Sequence, residues 1–464
     1  MSRALTSGLL RTWKIVFLPM QTAQSRRSVT VEASPKTEGV REVLDHFEKS
    51  QLHQLIKHLR HDPTASAEAW KSPALVPTLL ELTNSPEGEV RAQARVALAL
   101  LGHAPTLNGR GIRILSLDGG GSRGIILIVI LRLLEQLSGK RIHEMFDYVC
   151  GTSTGAIIAS LVCLRREPLD KVETLYRQMS MELFNKNNLL GIGQLFLTHA
   201  FYDAKILEKI IRQYKEAEMF MYETATDHLN PKVSFVSTLI NQSVVQPFLF
   251  CNYHHRPGNP AAHCYPSTTD TRIWEAIMAS TAAPGYLEEV KIGPHVYQDG
   301  GLLSNNPCAI AVHEARMLWG RKVPIQCVIS LGTGIYRRPI RPTKAGEVTT
   351  STSLREKLTK VVASATDTEA VHVVLQDLLP ESVYFRFNPE LSEDISIDEH
   401  RPQKLEMLCK DTVSYLTQER GRMEKAAVCL MQQRTAQQKT WDWFEEIRNK
   451  AVSTVWQYRS SKRL

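Results

Sequence analysis

Long apolar runs are missing from this chain of 464 residues. A membrane-spanning helix needs about 18 to 20 consecutive apolar residues, and the longest N-terminal run, Ile15 to Met20, is broken by Pro19. Any membrane contact is therefore expected to be peripheral. Paired cysteines are also missing. Cys150, Cys163, Cys251, Cys264, Cys308, Cys327, Cys409 and Cys429 are scattered, with no C-x-x-C pair, which argues for a reducing compartment or plain buried thiols. Acid is absent from the first 31 residues, where Arg3, Arg11, Lys14, Arg26 and Arg27 precede Glu32. That bias fits a mitochondrial transit peptide, with a disordered basic tail as the alternative. Recognised nucleic-acid motifs and basic arrays interleaved with aromatics are lacking too. The cationic excess of 56 − 48 = 8 thus favours an anionic surface other than nucleic acid.

What is present is an ordinary globular composition, 43% hydrophobic and 22% charged, at a length that suggests two or three domains. Residues 1–39 form the targeting or disordered segment. Residues 40–104 read as amphipathic helices, as in Ala74 to Leu82 and Val90 to Gly102, and resemble an armadillo or HEAT unit. Only one or two repeats fit, so a small module packed on the next domain is expected in place of a solenoid.

At Gly111 the texture changes to strand, glycine turn, helix: Ile112 to Leu117, then Asp118-Gly119-Gly120-Gly121-Ser122-Arg123-Gly124, then Ile125 to Leu137. The same grammar recurs as Phe146 to Cys150, Gly151-Thr152-Ser153-Thr154-Gly155, and Ala156 to Leu164. Further strands are expected at Val233 to Leu239, Gln246 to Asn252 and Ile325 to Leu331, and from about Ser351 the chain is mostly helical and polar. Such alternation implies an α/β sheet with helices on its faces.

Gly-x-Ser-x-Gly between a strand and a helix is the pattern of a nucleophile elbow. Gly151 and Gly155 permit a sharp turn that lifts the Ser153 hydroxyl out of the sheet, with a helix N-terminus behind it. The glycine cluster also satisfies G-x-G-x-x-G, so a nucleotide site competes. A dinucleotide fold places an acid about 20 residues on, at the end of the second strand, but that strand ends in Cys150. The other use of the turn is an oxyanion hole made by the backbone N–H groups of Gly120, Gly121 and Ser122. Asp299 before Gly300-Gly301 reads, taken alone, equally as a turn residue.

Asp118-Gly-Gly-Gly-Ser-Arg-Gly, Gly-Thr-Ser153-Thr-Gly and Asp299-Gly-Gly, in that order, resemble the three signatures of patatin-like phospholipases. Ala279 to Tyr286, Gly300 to Pro307 and Ser330 to Gly334 are similar to that family as well, nearest to its calcium-independent phospholipase A2 gamma type. The resemblance implies a patatin-like three-layer fold, with a catalytic domain at 111–315 and its C-terminal part and helical extension at 316–464. It implies a Ser153–Asp299 dyad, an acyl-enzyme, hydrolysis of glycerophospholipid esters at a membrane surface, and no cofactor or metal. A non-catalytic lipid-binding or nucleotide-regulated scaffold on the same fold, and an esterase with a distant His in a triad, are the competing readings.

Four further features stand outside these motifs. Cys251, His254, His255, His263 and Cys264 crowd one loop in spacing poor for zinc. Leu189 to Leu197 reads as core or as a lipid-facing cap, and Arg337, Arg338, Arg341 and Lys344 as a solvated loop or an anionic-headgroup contact. Ser461-Lys-Arg-Leu464 resembles a degraded Ser-Lys-Leu signal. The expected location is an organelle membrane, mitochondrial first, with peroxisome or endoplasmic reticulum as alternatives.

Overall fold

The computed structural model describes residues 51–62, 64–185, 200–258, 264–337 and 368–461. The transit-like segment, residues 40–50 of the helical module, the apolar run 189–197, the basic loop beyond Arg337, His263 and the terminal Lys462 to Leu464 lie outside the described residues.

The N-terminal amphipathic pattern folds as four helices: α1 (Leu52–His61), α2 (Ala65–Ala69), α3 (Leu75–Leu82) and α4 (Gly88–Leu100). Their apolar faces bury Leu52, Leu55, Leu59, Leu79, Ala94 and Leu100 in a cluster of their own. The unit is fastened to the rest of the chain. Arg60 lies over the Tyr222 ring and bonds Asp270 at 2.6 Å, and Trp70 stacks under Arg256.

The sheet follows the α/β expectation. Strands β1 (Ile112–Leu117), β2 (Tyr148–Thr152), β3 (Lys232–Leu239), β4 (Gln246–Cys251), β5 (Ser267–Thr268), β6 (Val290–Ile292), β7 (His295–Asp299), β8 (Ile325–Leu331) and β9 (Tyr384–Phe387) form one sheet. Its main order is β5-β4-β3-β2-β1-β8-β9, with β7 on β3 and β6 on β7. β1, β2, β3, β8 and β9 run parallel, whereas β4 and β7 oppose β3. The second strand begins at Tyr148, two residues after its sequence-based start, because Asp147 is drawn off to Arg113 at 2.7 Å. It runs on through Gly151 and Thr152, up to Ser153.

Side chains alternate across the strands. Leu115 and Leu117 join the larger core, under α5 (Ile125–Ser138), α6 (Thr154–Ala159), α7 (Leu169–Leu183), α8 (Ala204–Arg212) and α9 (Ile273–Thr281). Ile112 and Ile114 face the other side, under α10 (Cys308–Trp319) and α11 (Thr368–Leu378). Helices thus cover both faces of the sheet. Of the C-terminal helices, α12 (Pro402–Gln418) and α13 (Arg420–Leu430) return to the larger core. The last helix, α14 (Ala436–Ser461), reaches back to α3, where the Ser453 hydroxyl bonds Glu81 at 2.6 Å. Among the described residues no helix is long and apolar enough to cross a membrane, and all eight cysteines are free.

Candidate active site

The site forms where β2 and β7 meet end to end along one edge of β3. Thr152, the last residue of β2, pairs with Val236, and Asp299, the last of β7, pairs with the next residue, Ser237. Two strands arriving from opposite directions therefore deliver Ser153 and Asp299 to the same point, although 146 residues separate them. The Ser153 hydroxyl donates directly to Asp299 Oδ2 at 2.6 Å, with no histidine between them.

Ser153 sits in the sharp turn that the two glycines allow. Its φ of 53° and ψ of −121° lie in a region that side chains rarely occupy, a strained conformation that persists only when its surroundings impose it. They do so here. The Ser153 N–H donates to Ser280 Oγ at 2.9 Å, and Ser280 in turn donates to the Val236 carbonyl at 2.6 Å. A Cβ on Gly151 would lie 2.5 Å from the Gly155 backbone, and one on Gly155 would lie 2.2 Å from the Leu117 carbonyl. Helix α6 starts at the next residue, Thr154.

Asp299 is buried at 6% exposure, and its other oxygen, Oδ1, accepts the Gly301 N–H at 2.7 Å. Burial pushes its carboxyl up to about 6, against the opposing pull of the Ser153 hydroxyl and the Gly301 N–H. That value suits a group that must hold and release a proton near neutrality.

The glycine loop abuts the serine from the other side, since a Cβ on Gly119 would meet Ser153 Cβ at 3.2 Å and Asn305 Oδ1 at 2.3 Å. Its backbone is held by several partners. The Gly119 N–H donates to the Asn305 carbonyl, while the Gly119 carbonyl accepts from Thr333 Oγ1 at 2.7 Å and from Asn305 Nδ2 at 3.3 Å. The Gly121 carbonyl accepts from the hydroxyls of Thr154 and Tyr176. Among the described residues, nothing accepts from the N–H of Gly120 or Gly121.

Ser122 departs from the sequence-based expectation. Its N–H donates to the Ile397 carbonyl at 2.8 Å, so it is committed to holding the loop and is not available to an oxyanion. The same glycines are needed for packing, which accounts for them without a phosphate. Cβ positions on Gly119, Gly120, Gly121 and Gly124 fall within 2.1 to 2.4 Å of Asn305, Thr333, Ile397 and Tyr176, so the loop packs too closely on protein atoms for any side chain.

The base of the loop is anchored by a residue that carries no sequence signal. Asp118 and Arg386 form an ion pair at 2.7 Å, at 1% and 2% side-chain exposure. Burial pushes the Asp118 carboxyl up to about 6 while the guanidinium pulls it down, so both partners are charged at neutral pH. Arg386 also bonds Ser330 Oγ at 3.0 Å. Arg123, four residues into the loop from Gly119, is a buried cation near Asp394 and Tyr286.

The described members of the histidine and cysteine loop are not gathered around a common point. His254 bonds Thr269, His255 bonds Glu314 at 2.9 Å, Cys251 is buried and Cys264 is exposed. Among the described residues no group of three or more His, Cys, Asp or Glu could hold a metal ion.

The sequence has known relatives. Residues 115–312 match the patatin-like phospholipase family. The calcium-independent phospholipase A2-gamma of Rattus norvegicus is 43% identical over 397 residues, 85% of this chain and 50% of that protein. Its Homo sapiens counterpart is 42% identical with the same coverage. Phospholipase A I of Arabidopsis thaliana is 32% identical over 375 residues, 68% of this chain and 28% of that one. The chain spans about half the length of the gamma-type relatives it matches. A strand-to-helix turn carrying Ser153, an aspartate in direct contact with it, a packed glycine loop and these likenesses agree: residues 115–312 of this chain are a patatin-like phospholipase domain.

Proposed function

We propose that the protein hydrolyses fatty-acyl esters of glycerophospholipids, releasing fatty acid and lysophospholipid, and that Ser153 and Asp299 carry the reaction as a dyad. The observation that carries this reading is the 2.6 Å bond from Ser153 Oγ to Asp299 Oδ2. Asp299 takes the hydroxyl proton as Ser153 attacks the ester carbonyl, and the N–H groups of Gly120 and Gly121 receive the negative charge that develops on the oxygen. Collapse of the intermediate expels the lysophospholipid oxygen, which takes the proton back from Asp299. Water, activated by the same carboxylate, then releases the fatty acid from Ser153. The names of the gamma-type relatives support calcium independence for this chain.

A phospholipid surface is the partner that suits this site. The β3–β4 hairpin leaves the sheet at the end where Ser153 lies and exposes Val244 and Val245, and Leu303, four residues past Asp299, is exposed too. Apolar side chains around a site are suited to entering the headgroup boundary. An organelle membrane, mitochondrial first, is the proposed location, from the acid-free basic composition of residues 1–31. Incubating the purified full chain with mixed phospholipid vesicles and identifying products by mass tests the activity. Fatty acid and lysophospholipid should appear with wild type and be absent with Ser153→Ala and Asp299→Asn. Undiminished release by either variant overturns the dyad.

A further inference from the structure

A third polar side chain stands beside Ser153 and Asp299. Asn305 follows the short helix Gly301–Ser304 that Asp299 leads into. Two bonds to one glycine hold it in place: its backbone carbonyl accepts the Gly119 N–H at 3.1 Å, and its Nδ2 donates to the Gly119 carbonyl at 3.3 Å. That fixes which end of the side-chain amide is left over. A Cβ on Gly119 would lie 2.3 Å from Asn305 Oδ1 and 3.2 Å from Ser153 Cβ, and a Cβ on Gly301 would lie 2.9 Å from the same oxygen and 3.0 Å from Asp299 Oδ1. Gly119 and Gly301 thus make room for one oxygen between the glycine loop and the dyad.

Nothing in the fold uses that oxygen. Asn305 is half-buried, and among the described residues no group donates to its Oδ1, which stays in reach of solvent. A side-chain amide oxygen can only accept. The ester and phosphodiester groups of a phospholipid are acceptors too, so the reacting part of the substrate brings no partner for it. Water does.

We propose that Asn305 Oδ1 holds the water that hydrolyses the acyl-enzyme, a role that rests on the ester hydrolysis proposed above. In the first half of that reaction the departing oxygen carries one proton, received from Asp299. In the second half water enters by the same place, since its attack is the reverse of that departure, and water carries two. One proton passes to Asp299 as the water oxygen bonds to the acyl carbon. The other stays on that oxygen and donates to Asn305 Oδ1. The intermediate then breaks its bond to Ser153 Oγ, which takes the proton back from Asp299, and the fatty acid departs.

Without Asn305 Oδ1 the second O–H of the water has no partner inside the site, and an unpaired enclosed donor is costly. An alcohol attacking in place of water has only the proton that goes to Asp299. Its attack therefore makes no use of Asn305.

The experiment measures partition between the two nucleophiles. Full-length wild type, Asn305→Ala and Asn305→Leu are given phosphatidylcholine vesicles in buffer containing methanol, and the fatty acid and its methyl ester are quantified by mass. Alanine removes the oxygen without adding bulk, and leucine removes it while leaving no space for a substitute water. In both variants the ratio of acid to methyl ester should fall roughly tenfold, about the worth of one hydrogen bond. If Asn305 serves only to hold Gly119, both products fall together, so an unchanged ratio in either folded variant overturns the proposal. Wild type that forms neither product overturns the hydrolysis itself, and the role of Asn305 falls with it.

Discussion

Asp118 and Arg386 meet at 2.7 Å in the dry interior, joining the strand that leads into the glycine loop to a four-residue strand at the far edge of the parallel run. Removing one partner of such a pair strands a buried charge, which typically costs about 3–5 kcal/mol. Arg386→Met should lower the urea-unfolding free energy by about that amount and, by loosening the loop, also depress ester turnover. Adding Asp118→Asn should restore much of the stability, because the orphaned charge is then gone. Equal stability of wild type and Arg386→Met would show that the pair does not hold the loop.

Asp299 couples rate and stability to pH in opposite senses. As the proposed base it must be ionised, so kcat/KM should rise with pH through an apparent value of about 6 and then level off. A carboxyl that titrates near 3.8 unfolded and near 6 folded holds its proton more tightly when folded. Its favourable contribution is therefore complete below the lower value and lost as pH rises through the upper one, a change of roughly 2–3 kcal/mol. Asp299→Asn keeps an acceptor for the Gly301 N–H and removes the titration. It should be inactive, yet more stable than wild type at pH 8 and level with it near pH 4. Urea titrations at both pH values check this, and a stability difference independent of pH would contradict it.

Ser280 touches the reaction only through the Ser153 backbone. Ser280→Ala should lower kcat by about 10- to 100-fold with little change in KM, since a nucleophile displaced by even 1 Å reacts far more slowly. Ser280→Thr, which keeps the hydroxyl, should recover part of the loss. A change confined to KM would place Ser280 in substrate binding instead.

Much of this was legible locally, and what was hidden was non-local. The strands at Ile112–Leu117, Lys232–Leu239 and Ile325–Leu331 and the turn around Ser153 lie where apolar runs and glycines put them. Their periodicity is a property of neighbouring residues. The meeting of β2 and β7 along β3 is a pairing across the sheet, and no local pattern encodes it. Ser122 looked like a third oxyanion donor because its N–H lies in the right turn, yet the acceptor that claims it, Ile397, comes from a stretch without any motif. Arg386 sits in a strand of only four residues, too short to stand out from the polar helices around it.

The glycine loop, and not a metal ion, is expected to stabilise the reacting oxygen. Two backbone N–H groups, of Gly120 and Gly121, are without acceptors among the described residues beside Ser153, and losing one such donor typically costs about 10²- to 10³-fold in kcat. Gly121 has a φ of +54°, and a Cβ there would fall 2.1 Å from the Ile397 carbonyl oxygen. A Cβ on Gly120 would collide with Thr333 Oγ1 at 2.2 Å. Gly120→Val and Gly121→Val should therefore turn the N–H groups out of line and abolish hydrolysis, while excess EDTA or EGTA leaves the wild-type rate unchanged. Far-ultraviolet circular dichroism on the variants separates a misaligned loop from an unfolded chain. If chelator silences wild type and calcium restores it while folded glycine variants stay active, a metal must replace the backbone donors in the mechanism.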